Sequence, residues 1–408
     1  MTTSNHSGIS RLFRCTRCLY PSTKPDLHFN VEGLCSACIA YDKRSEVDWA
    51  KRQDEFLALV NANRGKSHDV IVACSGGKDS TYQVVKCLEL GLRPLAVCAT
   101  TDHLSPLGRK NLDNIANLCD LIEVTPHKPT RRKISKWALE ELGDVSWCEH
   151  HLIWSVPARE SVARDIPIVL YGECPQNEYG AGPAGSETQT RLTNSWVHEF
   201  GGLLGFRLSD AADILNIDPR HLEVYRYPQT DKVQALFMGA YFPWDGYRNF
   251  EIASVNGFTP LGDGVHSHVE GSIYGYENLD NYQTGIHDYL RFLKFGYGRA
   301  IDIASNCIRR GLNVRHFEYE TGREVSVRDA WARTAAPRDG AYPSTYLDKP
   351  IAEILSPLGL TEDQFKIICD RFTNKEVVAW ASSSASFQHF SGTTTDASRD
   401  DSLIKAVA

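Results

Sequence analysis

From Asp69 onward, short apolar runs alternate with amphipathic stretches: DVIVAC, RPLAVCAT, DLIEVT, and IPIVLYG at Ile166 to Gly172. Runs this short that are apolar throughout, without a polar residue at every second position, predict parallel strands buried on both faces. Between them lie STYQVVKCLELG, then SPLGRKNLDNIANLCD, then TRRKISKWALEELG and the stretch around Trp154. These read as helices, the second with Ser105 as N-cap and Pro106 at the first helical position. Strand alternating with helix predicts a doubly wound α/β domain around a parallel sheet. VQALFMGAYF at Val233 to Phe242 offers a fifth strand, and residues ~181 to 230 read as loops plus the helix SDAADILNI.

Upstream, VDWAKRQDEFLALVNANRG carries Trp49, Phe56, Leu57 and Val60 at near-helical spacing before Gly65 and reads as a linking helix. Downstream, the pattern from about Asn281 to Arg310 is again helical, and TEDQFKIICDRF opens on Thr361 as N-cap. The first ~14 residues are polar and expected to be mobile, and the Ser/Thr/Asp-rich tail SSSASFQHFSGTTTDASRDD is expected to be disordered. The expected layout is an N-terminal cysteine-rich segment over 1–45, an α/β domain over 46–250, a helical C-terminal region over 251–380 for substrate or partner, and the tail over 381–408. No internal repeat is present.

At 408 residues, 42% hydrophobic and 23% charged, the chain has the composition of a globular protein. Its net charge of −7 gives no broad positive field for nonspecific nucleic-acid binding, so an anionic substrate must be caught locally, for example near Arg131, Arg132 and Lys133. The N-terminus lacks the apolar core of a signal peptide and no apolar run approaches a membrane span of ~20 residues, so a cytoplasmic location without membrane contact is expected. Twelve cysteines are too few for a disulfide scaffold in a chain this long, and eight are scattered singly.

Ser75-Gly76-Gly77-Lys78-Asp79-Ser80 follows an expected strand and opens an expected helix. Glycines let backbone N–H groups approach an anion, and the helix end adds roughly half a positive charge. The hydroxyls of Ser75 and Ser80 can donate to phosphate, Lys78 can neutralise it, and Asp79 can hold Mg²⁺ or cap the helix. Ala73, Thr100 and Gly172, at strand ends on the same rim, are expected nucleotide contacts. The hexapeptide differs from G-x-x-x-x-G-K-[ST] and resembles the PP-loop of enzymes that cleave ATP between the α and β phosphates, which implies adenylation. A second pattern, Gly180-Ala-Gly182-Pro-Ala-Gly185, formally matches G-x-G-x-x-G but has no helix after it, and reads as a mobile loop near the active site.

Cys15-x2-Cys18-x16-Cys35-x2-Cys38 has the pairwise spacing of a four-cysteine zinc site, with Gly33, Pro21 and Pro25 suited to turns around it. Four protein thiolates leave no open position, so such a metal is structural. An iron–sulfur cluster, a redox pair and empty thiols remain alternatives.

Glu173 and Glu178 follow the fourth strand, where open α/β sheets place ligands, and are candidate acid/base or Mg²⁺ residues; solvated loop carboxylates are the competing reading. Asp102, Asn177, Tyr179 and Arg299 are candidate substrate contacts. His150-His151 and His266-x-His268 lack a clear third ligand. The clusters Tyr241-Phe-Pro-Trp244-Asp245 and Lys294 to Arg299 suit a sugar, a nucleotide or a subunit surface as well as packing.

Together CTRCLYPSTKP with GLCSAC, SGGKDS, YGE with NEYG, YFPWD, EGSIYGYENLDNYQTGIHDYLRFLKFGYGRA and EILSPLGLTEDQFKIICDRFTN resemble the N-acetyl sugar amidotransferase family, over Cys15 to about Asn374. The resemblance implies that the acetamido oxygen of a UDP-linked sugar attacks the α-phosphate of ATP, after which ammonia displaces AMP to leave an acetamidino group. It further implies a UDP-2,3-diacetamido uronic acid of lipopolysaccharide O-antigen assembly as the substrate. Ammonia would come from a separate glutaminase through a cyclase-like subunit, a pair resembling imidazole-glycerol-phosphate synthase. Cys148 and Cys174 lie outside any glutaminase constellation in this chain. A homodimer is left open, and the 312–342 stretch and the tail depart from the resemblance. The alternatives are a PP-loop tRNA-modifying enzyme, which the acidic balance disfavours, and a nucleotide-binding subunit without chemistry, which the complete hexapeptide disfavours.

Overall fold

The apolar runs form β1 (Val70–Ala73), β2 (Pro94–Ala99), β3 (Asp120–Val124), β4 (Ile168–Tyr171) and β6 (Gln234–Phe237) of one sheet, joined by the two-residue β5 (Arg191–Leu192). In this computed structural model, residues 12–182, 190–312 and 326–387 are described. The expected mobility of the first residues, Gly185, much of the 312–342 stretch and the tail from 388 lie outside the described residues.

The sheet order is β3-β2-β1-β4-β6-β5, with every neighbouring pair parallel except β5 and β6. Val70 to Val72 and Ile168 to Leu170 are fully buried, which is why these strands read as unbroken apolar runs. The fifth expected strand is shorter than its apolar run: after Phe237 the chain turns through a 3-10 segment at Met238–Ala240, and Phe242 packs edge-on against Phe56 at 5.3 Å.

The helices are α1 (Ser36–Lys43), α2 (Trp49–Ala62), α3 (Lys78–Glu89), α4 (Pro106–Leu118), α5 (Lys128–Leu142), α6 (Trp147–Arg164), α7 (Pro175–Tyr179), α8 (Asn194–Phe200), α9 (Leu208–Leu215), α10 (Gly246–Val255), α11 (Thr284–Phe295) and α12 (Arg299–Arg309). Further helices run over Val327–Ala335, Ile351–Leu355, Glu362–Phe372 and Lys375–Ala381. Ser105 caps α4 by accepting from the Gly108 N–H, and Thr361 with Gln364 forms a capping box on Glu362–Phe372. From β1 the chain moves through α3 and α4 to the β3 edge, then returns through α5 and α6 to β4 on the other side of β1. Right-handed crossovers therefore put α3 and α4 on one face and α5 and α6 on the other. The reversal leaves a crevice at the carboxyl ends of β1 and β4, the place where open α/β sheets accommodate ligands.

Three apolar cores support this frame. One fills the sheet layers. A second joins α11 to the helices over 351–381 and reaches Leu139 of α5. The third packs the four cysteines with Leu19 and Tyr20 against α12 and Val327–Ala335. The C-terminal region is thus shared: α12 turns Ala300, Ile301, Ala304 and Ile308 into the cysteine core, while α11 belongs to the second. Among the described residues no helix is long and apolar enough to cross a membrane.

Leu170→Ala, in the middle of a strand buried on both faces, should lower unfolding free energy by about 2–5 kcal/mol in urea titration; a loss under about 1 kcal/mol would show that β4 is not the central element described.

Candidate active site and metal centre

β1 ends at Ala73, and Ser75-Gly76-Gly77 turns the chain into α3, whose first residue is Lys78. The turn needs glycine at Gly76, which has φ +86° and where a Cβ would stand 2.9 Å from the Leu112 backbone nitrogen. Gly77 is the N-cap and offers no side chain, so the first N–H groups of α3 are left to a ligand or solvent. The Ser80 hydroxyl donates to the Gly77 carbonyl at 2.9 Å, and the Ser75 hydroxyl is hydrogen-bonded to Asp280. Both expected phosphate donors therefore brace the turn in this state.

Lys78 is buried and sits between two carboxylates, with Nζ 2.8 Å from Asp79 Oδ2 and 2.9 Å from Glu277 Oε1. Asp79 is fixed from its other side by Asn249 Nδ2 of α10, at 2.8 Å. Burial, together with the charge of Asp79, pushes the Glu173 carboxyl up to about 6, which poises it to exchange a proton near neutral pH. Gly172 passes under Trp244, whose ring lies 3.1 Å from where a Cβ would stand.

Glu178 has a different use. Its oxygens meet Arg44 at 2.6 Å and Arg310 at 2.9 Å, and both guanidiniums also donate to the Trp244 carbonyl. Lys78, Asp79, Glu173, Glu178, Tyr179 and Arg299 line one cleft of ≈ 80 Å³. Arg299 also borders a larger cavity of ≈ 240 Å³ walled by Tyr289, Tyr342 and Tyr346, where Asp288 holds its guanidinium at 3.1 Å.

Other expected residues lie elsewhere. Thr100 follows β2, its hydroxyl on Thr125 at 2.7 Å. Asp102 is buried among Arg131, Arg132 at 3.1 Å and Lys128 at 3.9 Å, so much of the local basic cluster is spent on its own carboxylate. Asn177 stands in the single turn of α7, its N–H on the Cys174 carbonyl. His266 pairs with Asp263, and His150 faces the Gly202 carbonyl.

Asn249 and Glu277 were not singled out from the sequence. The signal for α10 was Asp245, which caps it by accepting from the Arg248 N–H. Glu277 lies within the EGSIYGYENLDNYQTG block, which the family resemblance marks as a segment without marking the residue.

Cys15, Cys18, Cys35 and Cys38 are buried, and their sulfurs lie within 4.8 Å of one another. The Cys15–Cys38 and Cys18–Cys35 sulfur distances are 3.8 and 3.6 Å. A tetrahedral ion with metal–sulfur bonds of about 2.3 Å sets its ligands about 3.8 Å apart, so the cluster fits a metal such as zinc. The module is wired to the cleft: the Leu19 N–H donates to Ser305 of α12, Ser36 donates to the Gly180 carbonyl after α7, and Arg44 follows α1 directly.

Comparison of the chain with models of protein families gave no match, and comparison with curated proteins gave none.

Two measurements check this geometry. Cys35→Ser should abolish the bound metal in elemental analysis and lower Tm by at least about 5 °C; unchanged metal content would refute the ligand set. Because the Glu173 carboxyl is raised from 4.5 to about 6 in the fold, its contribution to stability is full below pH 4.5 and is lost as pH rises through about 6. Glu173→Gln should therefore gain stability over wild type between pH 4.5 and about 7 in urea unfolding, and parallel pH profiles would contradict the burial of that charge.

Proposed function

We propose that the chain is an ATP-dependent amidotransferase that adenylylates the acetamido oxygen of a UDP-linked N-acetyl sugar and exchanges that oxygen for ammonia. The observation that carries the reading is the loop over 75–80: it leaves β1 at the reversal of strand order and opens α3, with Lys78, Asp79 and Glu173 facing one cleft. The PP-loop character of the hexapeptide supports ATP cleavage to AMP and pyrophosphate. The resemblance of the surrounding blocks to N-acetyl sugar amidotransferases supports the acceptor, a UDP-2,3-diacetamido uronic acid of O-antigen assembly.

An amide carbonyl is a poor electrophile with a poor leaving oxygen, and adenylylation repairs both defects. In this reading the acetamido oxygen attacks the α-phosphorus, the bond to the bridging β-oxygen breaks and pyrophosphate leaves. The amide N–H proton passes to a base, giving an O-adenylyl imidate. Ammonia then adds to the imidate carbon, loses a proton, and AMP departs with the original oxygen. Backbone N–H groups at the start of α3 and the Lys78 ammonium bind the phosphates. Glu173, with a carboxyl near 6, accepts the proton. Mg²⁺, when bound, would shield phosphate charge, and Asp79 is the carboxylate that would hold it, which leaves Glu173 free as the base.

Arg299, shared by the cleft and the larger cavity, is the residue proposed to orient the acceptor. Glu178, locked between Arg44 and Arg310, shapes the wall, and the four cysteines hold Zn²⁺ as a structural ion. Ammonia reaches the cleft from the partner glutaminase and cyclase-like subunit.

Incubation with ATP, ammonium and UDP-linked acetamido sugars should release AMP and yield a sugar about one mass unit lighter, since NH replaces O. Lys78→Ala and Asp79→Ala should each reduce AMP formation by at least about 100-fold while circular dichroism stays unchanged. No AMP with any acetamido sugar would overturn the acceptor, and full turnover by Lys78→Ala would overturn the loop assignment.

A further inference from the structure

The segment from Tyr274 to Tyr282 is a strap laid across the phosphate loop and pinned on both sides of it. At its start, Tyr274 stacks on Tyr276 at 4.7 Å, and Tyr276 stacks on Phe250 of α10 at 4.3 Å. At its end, the Ser105 N–H donates to the Asp280 carbonyl at 2.8 Å, and Asn281 donates to Glu149 at 2.6 Å. The strap also packs closely on α4, where a Cβ on Gly108 would stand 2.6 Å from the Asp280 Cα. Between these fixed points Tyr276 sets its ring 5.6 Å from the Lys78 ammonium, and Glu277 forms the 2.9 Å ion pair with it. Asn278, immediately after, is in the left-handed region at φ +52°, so the chain turns sharply just beyond the Glu277 carboxylate.

Two of these facts conflict with a site ready for nucleotide. The cleft around Lys78 is ≈ 80 Å³, several times smaller than the roughly 300–1,000 Å³ of small-molecule sites. The loop's cation is moreover already neutralised by two carboxylates. Asp79 is adjacent in sequence and held by Asn249, so it stays with Lys78. Glu277 comes from the far side of the cleft, and its bond to Lys78 is the one that closes it.

We infer that Glu277 is a gating counter-ion: its carboxylate occupies Lys78 in the free protein, competes with phosphate for it, and rotates away about its own side-chain torsions, between the fixed ends of the strap, when a polyphosphate binds. This rests on the reading of residues 75–80 as a phosphate loop. Glu277 acts through Lys78 and is a positioning residue, exchanging one charge-assisted bond for another. Its release frees Lys78 on the side of the cleft lined by Tyr276 and Arg299.

The test measures binding of ATP and of inorganic pyrophosphate to the full chain by calorimetry, for wild type, Lys78→Ala, Glu277→Gln, Glu277→Asp and the Lys78→Ala/Glu277→Gln double variant. Glu277→Gln removes the competing charge and is expected to bind both probes about tenfold tighter than wild type. The double variant should bind no better than Lys78→Ala, because the gain runs through Lys78. Glu277→Asp, one methylene shorter, should fall between wild type and Glu277→Gln, and it carries the test if Glu277→Gln fails to give a cooperative thermal transition. Wild-type or weaker affinity in a folded Glu277 variant would overturn the gate, as would a gain that persists without Lys78. Should neither wild type nor a folded Glu277 variant bind either probe, the phosphate-loop reading itself falls and the gate with it.

Discussion

Glu178 is buried, and two separate parts of the chain beside the cleft meet at its two oxygens. Arg44 arrives from the cysteine module and Arg310 from the end of α12, while α7 presents Glu178 itself just beyond β4. Arg309 adds a bond to the Glu178 backbone carbonyl at 2.8 Å, and both other arginines also grip the Trp244 carbonyl. Burying such a pair costs desolvation that good geometry only offsets, but removing one partner from it costs about 3–5 kcal/mol, because the other charge is left stranded. The junction therefore specifies one arrangement of the sheet, the cysteine core and α12, more than it adds to overall stability. The wall of the cleft is set by that arrangement.

The frame of the molecule was legible because its signals are local. Strands covered on both faces read as unbroken apolar runs, and Ser105 and Thr361 announce their helices within four residues. The cysteine spacing likewise encodes its own geometry. What escaped were pairings between distant positions. Arg44 and Arg310 lie 134 and 132 residues from Glu178, and no pattern near any of the three marks them as partners. Asp102 shows the same limit: it sits on the expected rim, and Arg131 and Arg132, which read from the sequence as available to an anion, fold back onto it. Helix α10 was hidden by the aromatic cluster preceding it, whose last residue, Asp245, is the cap.

A division of labour among the cleft carboxylates follows from their surroundings. Glu178 is held by two guanidiniums and is spent on structure. Glu173 feels burial and the nearby negative charge of Asp79, which makes its proton exchangeable. Asp79, held by Lys78 and Asn249, keeps a fixed orientation at the start of α3. Residues of one chemical type thus stand close together with different partners, and sequence identity alone could not have told them apart.

The two edges of the sheet have a further bearing, on how copies of the chain meet. At one edge β3 is partly exposed, and it carries Asp120 in contact with His68 and Glu123 in contact with Arg109. At the other, β5 is two residues long and runs against its neighbour. Charge blunts the first edge and brevity the second, two of the devices by which natural sheets refuse a foreign strand. Among the described residues, this sheet is consequently a poor template for strand addition.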